Sequence, residues 1–313
     1  MELTKKLNSI SFWKVKPAVM LTLLFMSFFI SSYKTYADIS KLEKDALIDF
    51  YQHTNGKEWT TTWDLETSAS SWYGITVKNN VVVKINLFHN NLSGVLPASI
   101  ADLKHLTELN LAFNQLTGEL PKEISNLEEL MILKLEMNRL KGSLPENLGN
   151  MTQLQELSLF NNFMSGAIPN SLGDLKALKI LNLSSNNFKG SIPNSIGNLQ
   201  NLESLGLFEN NLEGNMPSEL GNLIKLKELV LANNNLEGTI PKELGQLASL
   251  EIFQIQNNGF DSFEDITLMR TNFLLVFDFD KEKIKIPLEF NNINTINTRI
   301  ADTKFEDEEE KKE

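Results

Sequence analysis

The chain has 313 residues, 42% hydrophobic and 22% charged, with 16 glycines, 9 prolines and no cysteine, a composition that excludes disordered and collagen-like classes. A formal net charge of −11 leaves no excess of basic residues to neutralise phosphates, so nucleic acid is not an expected partner. The lack of cysteine removes disulfide frameworks, thiolate nucleophiles, cysteine-ligated zinc and cysteine lipidation together.

Lys5, Lys6, Lys14 and Lys16 precede an apolar run from Ala18 to Ile30, broken only by Thr22 and Ser27. At about 13 residues the run is short of the roughly 20 that span a bilayer, and Thr35-Tyr36-Ala37 supplies a cleavage site. Residues 1–37 are therefore expected to be a removable signal peptide, with export to the medium or the cell surface. Contact with a membrane is expected only if this segment stays uncleaved. Its removal takes away a net charge of +4 and leaves −15 on the remainder.

Residues 38–80 have the pattern of a lid. Ser40-Lys41-Leu42-Glu43 forms a capping box opening a helix, Leu42, Ala46, Leu47 and Phe50 fall on one face, and Asn55-Gly56 stops it. An aromatic loop with Trp59, Trp63, Trp72 and Tyr73 follows and leads through Ile75-Thr76-Val77 to Val82. The tryptophans are expected in the core of this lid rather than on an exposed carbohydrate platform.

From residue 81 a repeat dominates. Asn90, Asn114, Asn138, Asn162, Asn186, Asn210, Asn234 and Asn258 are spaced by 24, and Gly94 to Gly238 and Pro97 to Pro241 recur in phase with them. Seven full copies and one partial copy, over residues 81–260, follow the unit L-x-x-L-x-x-L-x-L-x-x-N-x-L-x-G-x-[IL]-P. The L-x-L piece alternates with period two, which predicts a short strand with its leucines inward and successive strands stacked as a parallel sheet. Each Asn amide is positioned to satisfy backbone groups where the chain leaves the strand, forming a ladder down the array. Gly and Pro then bend the chain into its return leg. No repeat buries its leucines alone, so stacking is obligatory.

This unit resembles the plant-type leucine-rich repeat, found in plant receptor ectodomains, plant inhibitors of microbial polysaccharide hydrolases and secreted bacterial proteins. The resemblance implies an α/β solenoid with a parallel β-sheet on the concave face and a cap at each end. The strings Ala46-Leu47-Ile48-Asp49-Phe50 and Trp72-Tyr73-Gly74-Ile75-Thr76 are similar to the family's N-terminal cap. Plant caps carry cysteines flanking that tryptophan motif, and Ser70 and Val77 stand in their places here. The likeness is therefore to the cysteine-free secreted bacterial variety.

After Phe260 the pattern changes. Phe263-Glu264-Asp265-Ile266 predicts a short helix, and Phe273 to Phe279 with Ile284 to Ile286 a hairpin turning at 280–283. Residues 261–300 are expected to form the C-terminal cap. Residues 301–313 are expected to be a solvated acidic tail. Asp278 and Asp280 are assigned to the hairpin's polar face rather than to a metal site.

No chemistry is legible. His53, His89 and His105 have no metal-ligand partner at helical spacing, and no G-x-S-x-G, phosphate loop or catalytic carboxylate pair occurs. No enzyme, metal or cofactor is expected. The informative positions are those of the inner face, which have no packing duty. After the second strand leucine come Phe88, Ala112, Glu136, Phe160, Ser184, Phe208, Ala232 and Gln256, and one place on come His89, Phe113, Met137, Asn161, Ser185, Glu209, Asn233 and Asn257. Phe88, Phe113, Met137, Phe160 and Phe208, with Glu136 among them, are expected to face outward as a binding patch for a protein ligand. The concave strip is also where the resemblance places ligand contacts. The expected function is protein binding by a monomer. The alternatives are glycan-related recognition or inhibition of polysaccharide-active enzymes, and ligand sensing with a separate signalling partner.

Overall fold

The computed structural model describes residues 39–262 and 274–280. The expected signal peptide, the helix at 263–266, the turn beyond Asp280 and the acidic tail lie outside the described residues.

The first helix, α1 (Lys41–His53), starts at a reciprocal cap: Ser40 Oγ accepts the Glu43 N–H at 3.2 Å, and the Glu43 carboxylate accepts the Ser40 N–H at 3.3 Å. It stops where the Thr54 hydroxyl donates to Phe50 O at 2.6 Å and Asn55 turns left-handed at φ 55°. The buried stripe is Glu43, Ala46, Leu47 and Phe50. Leu42, expected on that face, is 57% exposed, because one residue before Glu43 lies about 100° round the helix. Glu43 takes the inward place and accepts the Val82 N–H at 2.9 Å.

The tryptophans form the core of this lid. Trp59, Trp63 and Trp72 are each at most 5% exposed, and Trp63 stacks on Trp72 with centroids 4.8 Å apart. Each indole N–H has a carbonyl acceptor: Thr54, Tyr73 and Asp64 respectively, at 2.8 to 2.9 Å.

The inner sheet has ten strands: Ile75–Lys78, Val81–Asn86, Glu108–Asn110, Ile132–Lys134, Glu156–Ser158, Ile180–Asn182, Ser204–Gly206, Glu228–Val230, Ile252–Gln254 and Val276–Asp278. The first pair is antiparallel and all later pairs are parallel. Register follows the repeat, with Leu109 opposite Leu133 and Leu133 opposite Leu157. An outer sheet of eight short strands runs from Ser93–Val95 to Gly259–Ser262. 3-10 turns such as Ala98–Asp102 and Lys122–Asn126 carry the return leg. Between these layers Leu103, Leu106, Leu109, Leu111 and Leu116 are 0% exposed, each contributing about 1.5 to 3 kcal/mol once covered.

Two glycines show the fit. Gly94 has φ +96°, and a Cβ there would lie 2.2 Å from His53 O, so both angle and space require glycine. Gly173 in the return leg would place a Cβ 2.3 Å from Ser195 O of the next repeat.

The Asn column ties repeat to repeat through backbone groups. Asn114 Nδ2 donates to Leu87 O and Leu111 O, both at 2.9 Å, while its Oδ1 accepts the N–H groups of Asn90 and Leu92. Asn138, Asn162, Asn186, Asn210, Asn234 and Asn258 repeat the pattern, each donating to a carbonyl 27 residues back. Asn90 closes the column against the lid, with its amide donating to Thr61 O.

The sheet continues past the last copy of the repeat. Val276–Asp278 pairs parallel with Ile252–Gln254, and Phe277 stacks on Phe253 at 5.5 Å. The segment expected as the first arm of a hairpin is thus a further rung of the array. The second arm lies outside the described residues.

Candidate functional site: the concave strip

Each inner strand turns its leucines inward and its alternate residues to the concave side, as the pleat requires. At the strand's exit the backbone makes the same turn in every copy. His89, Phe113, Met137, Asn161, Ser185, Glu209, Asn233 and Asn257 all have φ between 50° and 58°. This left-handed region is disfavoured for residues with a Cβ by about 1 to 2 kcal/mol, with asparagine among the few that tolerate it. Asn fills three of the eight places. Phe113 and Met137, a bulky aromatic and a flexible apolar chain, fill two others.

The expected apolar residues divide by position. Phe88 and Phe113 are 49% and 42% exposed and touch at a centroid distance of 5.1 Å with planes tilted 57°. Met137 and Phe160 are half-buried, and the Met137 sulfur lies 2.9 Å from Asn161 Nδ2. Phe208, expected to face outward, is only 9% exposed, and its N–H donates to Ser184 Oγ at 3.1 Å. Of the expected residues, Phe88 and Phe113 are thus exposed and Met137 and Phe160 half-buried, all in the half of the sheet nearer the lid.

Glu136 stands in the same column as Phe88 and Phe160, and its Oε2 is buried without a hydrogen-bond partner. Three of the five such orphaned atoms among the described residues, Glu136 Oε2, Gln256 Oε1 and Asp280 Oδ2, occur in the single column that Phe88 begins. Nearby, Lys134 donates to Glu156 at 2.8 Å. That hydrogen bond, with the negative charge of Glu156 and Glu136, holds the Lys134 ammonium above its ordinary pKa despite partial burial.

Sequence reasoning followed the two columns at the strand exits and missed those within the strands. Glu108, Ile132, Glu156 and Ile180 form one such column, and Asn110, Lys134, Ser158 and Asn182 the next. Lys84 bridges Glu108 at 2.7 Å across the first two repeat strands. Met131 and Ile180, 38% and 37% exposed, broaden the apolar area. The signal was present in the period-two alternation, which places i−2 and i−4 on the same face as Ala112.

Beside the strip, where the strands leave the sheet, an open groove of about 380 Å³ is lined by Asn161, Phe163, Ser185, Asn187, Glu209 and Asn211. Ser185 Oγ donates to Glu209 Oε2 at 2.8 Å. Among the described residues no group of three His, Asp or Glu is placed to hold a metal ion, and no helix is long and apolar enough to cross a membrane.

A stack of identical strand-and-turn units with a core of leucines and a face of variable residues defines a repeat solenoid that presents a surface. The family model for the leucine-rich repeat region matches residues 85–187 and 160–271, and the chain belongs to that family. The ectodomain of the Arabidopsis thaliana receptor kinase GASSHO1/SCHENGEN3, solved in complex with CASPARIAN STRIP INTEGRITY FACTOR 2, is similar at a TM-score of 0.70 and 33% identity, over 72% of this chain and 28% of that one. A leucine-rich-repeat protein of Leptospira interrogans is similar at 0.54 and 37% identity, over 63% of this chain and 48% of that one. Polygalacturonase inhibitor 1 of Arabidopsis thaliana is 29% identical over 93 residues, which is 28% of each chain. The chain thus spans less than half the length of each of these relatives.

Proposed function

We propose that the chain is an exported, cysteine-free leucine-rich-repeat protein of the secreted bacterial type that binds a protein or peptide ligand through its concave face, with Phe88, Phe113, Met137 and Phe160 as the contact patch. One observation carries the reading. Phe113 and Met137 are held in left-handed backbone at φ 58° and 56°, where asparagine would serve the turn at lower cost, and Phe113 is 42% exposed. Backbone strain borne by residues whose packing return is no more than a contact with a neighbour on the same face supports a role for them outside the fold. The named ligand of the GASSHO1/SCHENGEN3 ectodomain and the bacterial origin of the Leptospira relative support it.

The test uses Met137→Asn and Phe113→Asn. Each keeps the turn and removes the apolar group. Capture of ligand from the medium of the source cells should fall at least about tenfold with both variants while thermal stability holds. Undiminished capture overturns the reading.

The local likeness to a polygalacturonase inhibitor favours a second reading, in which the ligand is a polysaccharide-cleaving enzyme. Polygalacturonase assays with and without the chain decide it: a loss of activity that disappears with Phe113→Asn supports this reading.

A further inference from the structure

The groove beside the concave strip runs over three successive repeats, at residues 161–163, 185–187 and 209–211. At about 380 Å³ it falls within the size range of small-ligand sites, about 300 to 1,000 Å³. Two rung spacings of about 4.8 Å give it a floor about 10 Å long.

Phe163 forms one end of this floor. It is 58% exposed, more than any other phenylalanine, tyrosine or tryptophan among the described residues. It stands one place after the ladder asparagine, in a column whose other members, from Asn91 to Gly259, are polar or glycine. Its ring thus leaves an apolar face open in otherwise polar surroundings.

The rest of the lining is polar and incompletely paired. Exposed amides on neighbouring rungs bond each other elsewhere on this side of the array, as Gln115 does with Asn91 and Asn257 with Asn233, both at 2.7 Å. Asn187 and Asn211, also on neighbouring rungs, make no side-chain hydrogen bond among the described residues, and both are exposed. Asn161 spends its Nδ2 on the Met137 sulfur, which leaves its Oδ1 to accept. Glu209 takes the Ser185 hydroxyl on Oε2, which leaves Oε1 to accept. The floor therefore offers unused donors and unused acceptors side by side.

That combination selects a ligand class. Glu209 is the one charged side chain in the lining, so a phosphate, sulfate or uronate would meet a like charge with no cation to offset it. A hydroxyl both donates and accepts, as paired amide and carboxylate groups require. The C–H face of a pyranose ring is apolar and flat, as the exposed face of Phe163 requires. We propose that the groove binds a neutral oligosaccharide of two or three pyranose rings, one ring stacked on Phe163 and the next ones hydrogen-bonded to Asn187, Asn211 and Glu209. Successive rings of an extended chain then fall on successive rungs. The site uses none of Phe88, Phe113, Met137 and Phe160, and it adds a second ligand class to the proposed protein-binding role.

The test titrates the intact chain calorimetrically with cellotriose, laminaritriose and triacetylchitotriose, and with trigalacturonate as the charged control. At least one neutral trisaccharide should bind with a Kd of about 1 mM or below. Phe163→Ala, and separately the double variant Asn187→Ala, Asn211→Ala, should each weaken that binding about fivefold or more. Phe113→Asn should leave it unchanged, as should raising NaCl from about 50 to about 500 mM. The three substituted positions in the groove are exposed, so these variants keep the fold, which circular dichroism checks. No neutral binding up to about 10 mM, or binding indifferent to both groove variants, overturns the site. Trigalacturonate bound as tightly as the neutral probes overturns the neutral ligand. Capture of a protein ligand by the concave patch is measured separately, so failure here leaves that reading standing.

Discussion

Glu43 joins the lid to the array: the carboxylate that completes the cap of α1 at Ser40 also accepts the Val82 N–H at 2.9 Å, and the residue is only 5% exposed. A single buried side chain thus satisfies backbone groups on two elements 39 residues apart in sequence.

Replacing Glu43 by Ala strands the buried Val82 N–H, at about 1 to 3 kcal/mol, and removes the cap from the exposed Ser40 N–H, which water can then satisfy. Glu43→Ala is expected to destabilise the chain by about 1 to 3 kcal/mol, with Glu43→Gln recovering about half, because the amide oxygen still accepts. Chemical denaturation of the three proteins checks this.

The Asn column predicts a comparable loss. In Asn162→Ala the N–H of Leu140 loses its partner, while the carbonyls of Leu135 and Leu159 each lose one of two and keep the amides of Asn138 and Asn186, at an expected cost of about 1 to 3 kcal/mol. Asn162→Asp should be no better, since a carboxylate accepts but cannot donate to those carbonyls. Equal melting temperatures for wild type and Asn162→Asp would contradict this account.

Met137→Asn is expected to stabilise the fold by up to about 1 kcal/mol by relieving the left-handed turn. Phe113→Asn should be nearly neutral, as the lost contact with Phe88 offsets the same relief. A marked drop in melting temperature for Met137→Asn would assign the methionine to the fold rather than to binding.

Deleting Leu130–Gln153, one period of 24 residues, should leave a shorter folded solenoid, because every column is restored in register. Deleting half that length should abolish cooperative melting. Circular dichroism during thermal melts separates the two outcomes.

The solenoid, its parallel sheet and its Asn column were legible because a fixed period writes the same constraint in successive copies, and Leu109, Leu133 and Leu157 need no individual decision. What the period does not fix was harder. Phe208 stands in the same column as Phe88, yet the first is buried and the second half in solvent, because exposure within a column depends on the side chains of neighbouring repeats, which the period leaves free. Leu42 lost its expected place to Glu43 because a capping carboxylate needed by Val82 outweighed hydrophobicity. The left-handed backbone at Phe113 was hidden for a different reason: a strained torsion leaves no trace in sequence when the residue bearing it is of an unfavourable type.

The recurring turn at the strand exit has an evolutionary corollary. Because Leu, Asn, Gly and Pro hold each repeat, a change of turn residue is felt by neighbouring turn residues, as between Ser185 and Glu209, but not by the leucine core, and the eight sites from His89 to Asn257 behave as a row of sockets on a fixed frame. A new specificity is then reached by re-lettering one socket at a time, and every intermediate along the way still folds.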